Sequence, residues 1–114
     1  MIKSCDNCRK KKKCSRAGEV TVCYLHSDSE NRKCHKCGAS LMIEEHHIYG
    51  AANRKRSDRD GLTVDLCANC HRNDKDSAHA SGKYSEYLHK IGQIVYEQTY
   101  GDGSFLKEYG RNYI

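Results

Sequence analysis

The sequence predicts a small α+β fold stabilised by zinc, and three observations carry that expectation. The chain has 114 residues, 37% of them apolar, with one Phe and no Trp. A core that small covers a limited share of the chain and calls for additional staples. Eight cysteines are present, most of them in paired C-x-x-C spacing. The middle of the chain runs in the order strand, loop, strand, helix, and a helical tail follows.

Composition divides the chain into three segments. Residues 1–30 form a Cys-rich basic head, 31–80 a compact core, and 81–114 a helical extension expected to pack on that core. In the core, SLMIEEHHI and LTVDL hold β-suitable residues, and ANCHRNDKDSAH suits a helix start. The stretch between the strands, YGAANRKRSDRDG, is rich in Gly, Asn and charge and reads as a loop. In the tail, Tyr84, Tyr87, Leu88, Ile91, Ile94 and Val95 recur at helical spacing despite Gly92, and Ser104 can cap a short second helix before Gly110.

The first residues contain no apolar run behind a charged start, and no stretch approaches the length of a membrane span. An intracellular setting is therefore expected, in which paired cysteines bind metal rather than each other. Cys34 and Cys37 pair naturally with Cys67 and Cys70 to hold one structural zinc, because a tight turn lets two sulfurs of a C-x-x-C reach one tetrahedral ion. Cys5, Cys8, Cys14 and Cys23 form a less regular set. They can hold a second zinc, with His26 able to replace Cys23, while an iron–sulfur cluster or free thiols are the alternatives.

The formal net charge is +5, but eight thiolates and two zinc ions would bring it to about +1. Distribution says more than the total. Lys3, Arg9, Lys10, Lys11, Lys12, Lys13 and Arg16 crowd the head against one acid, Asp6, and Arg54, Lys55, Arg56 and Arg59 crowd the loop. Phosphate contacts are expected at those two places, with Lys10, Lys11, Lys12, Lys13, Asn53, Arg54, Lys55 and Arg56 as the DNA-binding candidates.

Glu44-Glu45-His46-His47-Ile48, the loop GAANRK, and Leu66-Cys67-Ala68-Asn69-Cys70-His71 together resemble the HNH, or ββα-metal, nucleases, in particular small phage-type members. The helix LHKIGQ and the ending GRNY are similar to the tails of those proteins. The resemblance implies a ββα-metal core and a metal-dependent DNA endonuclease with His47 as general base. It implies that His46 and His71 hold a catalytic divalent ion, magnesium or manganese. DNA is the implied partner, with a homodimer or phage DNA-processing proteins as further ones and a bacterial host cytoplasm as the setting.

The chemistry supports that division of labour. A phosphodiester carries anionic oxygens, so its hydrolysis benefits from a cation on the phosphate and a base for water, and an imidazole titrates near neutrality. In an ideal strand His46 and His47 point to opposite faces, so a shared site requires the strand to end or bulge there. The chain departs from the family pattern twice. Leu62 stands where the family has its bracing asparagine, a role Asn53 can take, and Lys75 stands at the last ligand position. Asp74 or His79 must supply that ligand. His79 is preferred, and reaches the site only if the helix breaks near Ser77. The alternative function is a zinc-binding nucleic-acid module without catalysis.

Overall fold

A computed structural model describes residues 4–18, 23–73, 75, 77–80 and 82–114. Lys3 and Asp74, named above among the basic and ligand candidates, lie outside the described residues. Two antiparallel strands, β1 (Ile43–His47) and β2 (Thr63–Cys67), pair from Ile43 opposite Cys67 to His47 opposite Thr63. β2 is buried along its whole length, as a hydrophobic strand covered on both faces should be. This establishes a small α+β architecture.

The segment joining the strands is more ordered than its composition suggests. A 3-10 turn at Ala51–Asn53 leads into helix α1 (Arg54–Arg59), whose one buried residue is Ser57. Such a helix has no apolar stripe to announce it. Ser57 is wholly enclosed; its hydroxyl donates to Leu62 O at 2.6 Å and accepts from the Tyr49 N–H at 3.3 Å. Gly61 then turns the chain into β2 with φ of +68°, a conformation that favours glycine.

The segment after β2 departs from the expected helix. Asn69–Asn73 makes one wide turn of π type, and residues 78–80 lie in a separate turn. Ser77 is fully buried, and its hydroxyl accepts from the Ala80 N–H at 3.2 Å, which replaces a helical partner. The break anticipated near Ser77 therefore occurs, and the Ala78 and His79 N–H groups donate back to Cys70 O and His71 O.

Helix α2 (Gly82–Tyr100) and helix α3 (Ser104–Tyr109) form the tail. The buried face of α2 is Leu88, Gly92, Gln93, Val95 and Tyr96, narrower than the periodicity implied, since Tyr87 and Ile94 remain exposed. Gly92 is needed there: a β-carbon would meet the Tyr49 hydroxyl at 2.5 Å, and that hydroxyl donates to His89 O. Ser104 opens α3 without capping it; Gly103 is the cap, and Ser104 Oγ donates to Gly101 O. Among the described residues, no helix is long and apolar enough to cross a membrane.

One carboxylate joins all three segments. Asp60, 2% exposed, accepts from Ser15 Oγ of the head at 2.7 Å, from Arg59 at 2.8 and 2.7 Å, and from the Tyr109 hydroxyl of the tail at 2.7 Å.

Candidate functional site

The four core cysteines converge. Cys34 and Cys37 come from the turn before β1, Cys67 ends β2, and Cys70 sits in the wide turn; one sulfur from each lies within 4.8 Å of the others. Four sulfurs set tetrahedrally at about 2.3 Å from one ion lie about 3.8 Å apart. Cys37 Sγ and Cys67 Sγ are 3.7 Å apart, so the set fits zinc without rearrangement. Burial raises the Cys34 thiol, but N–H donation from Cys67, Cys37 and Lys36 outweighs it and brings the thiol down to about 6. Donors aimed at a sulfur favour its thiolate, the form a metal binds. This cluster can hold a structural zinc.

Strand alternation sorts the charged run of β1 into two neighbourhoods. Glu44 and His46 share one face of the sheet, and Glu45 and His47 share the other. On the first face, His46, His71 and His79 bring one ring nitrogen each to within 4.8 Å of one another, with ring centroids 4.6 to 5.1 Å apart. His71 Nδ1 lies 2.7 Å from Glu44 Oε1. A carboxylate only accepts, so Nδ1 carries a proton, and in the neutral ring Nε2 is the nitrogen with the lone pair. That Nε2 is 2.9 Å from His79 Nε2. Ligand atoms at 2.0–2.1 Å on adjacent octahedral corners lie about 2.9 Å apart, so the pair is spaced for a shared cation.

Electrostatics in this cluster follow from burial and crowding. Burial, then the neighbouring His71 and His79 rings, hold His46 in its neutral form down to about pH 3. Burial and the His71 ring lower His79 as well. Donation from Arg72 and His71 brings the Glu44 carboxyl down to about 2. The result is three nitrogens suited to a metal, one of them oriented by a carboxylate in the manner of an outer ligand shell.

On the other face, His47 Nε2 is 3.3 Å from Asp58 Oδ1 of α1, and Glu45, His47 and Asp58 form a third group of potential ligand atoms within 4.8 Å. Burial raises Glu45, but Arg9 at 2.8 Å and Thr63 at 3.0 Å more than offset it. The strand ends at His47, as a shared site requires, so both histidines border one open cleft although their side chains turn apart. Gly50, Ala51 and Arg54 complete its rim with His71 and His79. Ala51 holds a left-handed φ of 51°, a strained position for a residue with a β-carbon.

Several sequence-based assignments need correction. Lys10 is not available to DNA: it is 4% exposed, and its ammonium donates to Leu25 O, Gly61 O and Thr63 O at 2.8, 3.0 and 3.0 Å. The run RKKKK lies in a turn that carries Lys10 inward while Lys11, Lys12 and Lys13 stay exposed. Asn53 is likewise committed, donating to Tyr109 O and accepting from Arg56, which also reaches Glu108. Arg54 and Lys55 are exposed and line the cleft beside His47.

Cys5, Cys8, Cys14 and Cys23 line one small cavity with His26, but among the described residues their sulfurs do not close to the mutual spacing of the core set. Burial pulls the Lys10 ammonium on that cavity's wall below its usual range, an effect Cys23 and Cys8 oppose. Sequence reading assigned no role to Glu44, Asp58 or Ser57. The available signal for Glu44 was its place two residues before His46, hence on the same face of a strand, and Ser57 and Asp58 sat in a stretch read as loop.

No family model, no curated protein and no solved structure matches the chain.

Proposed function

We propose that this protein is a metal-dependent DNA endonuclease of the HNH type, with zinc confined to the four-cysteine cluster. The observation that supports it best is the placement of His46, His71 and His79 at one end of a cleft whose other wall carries His47 and Arg54. His46, His71 and His79 would hold the divalent cation, which when bound supplies positive charge to the scissile phosphate and the leaving oxygen. Three nitrogen donors suit a transition ion better than a hard one, so of the two expected metals manganese is favoured over magnesium.

The chain's own residues account for the remaining tasks. Glu44 fixes the His71 tautomer through the 2.7 Å contact. Asp58 accepts the Nε2–H of His47, leaving Nδ1 as the nitrogen that takes a proton from water. As that proton arrives, the Asp58 carboxylate stabilises the imidazolium. Arg54, exposed at the rim, offers a planar fork for a phosphate oxygen.

The test is cleavage of duplex, single-stranded and branched DNA by chelator-treated protein titrated with manganese or magnesium. His47→Ala should fold, retain metal and lose at least about a hundredfold in rate. Undiminished cleavage by that variant would remove His47 as the base. Salt-sensitive binding with no cleavage under either ion would instead favour a non-catalytic nucleic-acid module.

A further inference from the structure

The head places two positive charges where isolated charges are expensive. Lys10 and Arg16 are 4% and 2% exposed, and neither forms an ion pair among the described residues. Lys10 is satisfied by three carbonyls. Arg16 donates from Nε to Asp60 O at 2.7 Å and from Nη2 to Gly61 O at 3.3 Å. Carbonyl dipoles solvate a cation but do not neutralise it, so a buried charge without a counter-charge is costly.

Both side chains line the cavity ringed by Cys5, Cys8, Cys14 and Cys23. Both guanidinium nitrogens Nη1 and Nη2 point to Cys23 Sγ at 3.7 Å. The cavity measures about 10 Å³, room for one atom-sized guest and too small for a phosphate. Of the two alternatives for the fourth donor, Cys23 is the one that the buried guanidinium of Arg16 faces, whereas His26 Nε2 contacts Asn7 Oδ1 at 2.7 Å.

We propose that the head binds a second zinc ion through Cys5, Cys8, Cys14 and Cys23, and that buried Lys10 and Arg16 neutralise the resulting tetrathiolate. Four thiols release four protons on binding, and four thiolates on one divalent ion carry a charge of −2, which the two cations cancel. The same cations bind Asp60, Gly61 and Thr63 of the core, and a β-carbon at Gly61 would collide with Cys14 Sγ. Metal binding in the head is thereby tied to its seating on the strand pair. The site draws the sulfurs inward from their positions around the cavity, and it does not depend on the nuclease reading.

The test uses the full chain expressed with zinc and measures metal per chain by elemental mass spectrometry and by release to an indicator on thiol titration. Two zinc ions are expected, and Cys8→Ser should keep one. With cobalt in place of zinc, that variant should lose about half of the sulfur-to-metal absorption. A metal count that is the same in Cys8→Ser as in the wild type overturns the site, as does iron with acid-labile sulfide. If Cys8→Ser does not fold, a wild-type count of one overturns it. In a chelator competition Lys10→Met should release the head ion about tenfold more readily than wild type while the core ion is unaffected. Equal retention of both ions would refute the neutralising role.

Discussion

Glu44 is the residue whose importance the linear sequence concealed most fully. It stands in a run of two acids and two histidines, and only the strand pleat shows that it shares a face with His46 while Glu45 turns to His47. Its carboxylate holds His71 in one tautomer and receives Arg72 at 3.1 and 2.8 Å. Glu44→Gln keeps the size and loses the charge. We expect it to weaken divalent-ion affinity about ten- to a hundredfold, measured by calorimetric titration, with the four-cysteine zinc retained. An unchanged affinity would mean that the Glu44–His71 contact is only a surface pair. Of the histidine trio, His46 and His71 were legible from their places beside the cysteine pairs, whereas His79 was one of two candidates with Asp74 and depended on a helix break near Ser77. The inward turn of Lys10 was not, since a run of four lysines carries no mark of which one is enclosed.

At the scale of elements, the two strands could be read from their β-branched and alternating residues, and the long tail helix from its apolar spacing. Helix α1 could not, because it buries only Ser57 and its charged residues match a solvated loop equally well. That serine ties Tyr49, just past β1, to Leu62, just before β2, while Asn53, the brace the sequence suggested, bonds Tyr109 O of the tail. Ser57→Ala removes a buried donor and leaves Leu62 O with one partner fewer. A loss of about 1–3 kcal/mol in denaturant unfolding is expected, with the slope unchanged. A loss below that range would place the brace elsewhere in the loop. The segment after β2 was read as a helix start, but it makes a wide turn at Asn69–Asn73 that holds His71 and a separate turn at 78–80 that holds His79.

For the whole molecule, charge is arranged differently from its total. Arg9 and Arg32 reach buried Asp65 at 3.5 and 2.8 Å, and Lys10 and Arg16 are enclosed, so much of the head's basic character faces inward. Of the basic residues singled out in the sequence and described in the structure, Lys11, Lys12 and Lys13 on the head and Arg54 and Lys55 at the cleft stay exposed. Replacing Arg54 and Lys55 together by Ser should reduce the slope of log affinity against log salt by about two for duplex DNA. A slope equal to that of the wild type would exclude this rim as a phosphate contact.

Asp60 sets a condition on how such a chain can change over evolutionary time. Because its carboxylate receives Ser15 from the head, Arg59 from the loop and Tyr109 from the tail, a replacement head or tail is compatible only if it brings a donor to the same point. Exchange of whole segments by recombination would therefore leave a buried anion short of partners.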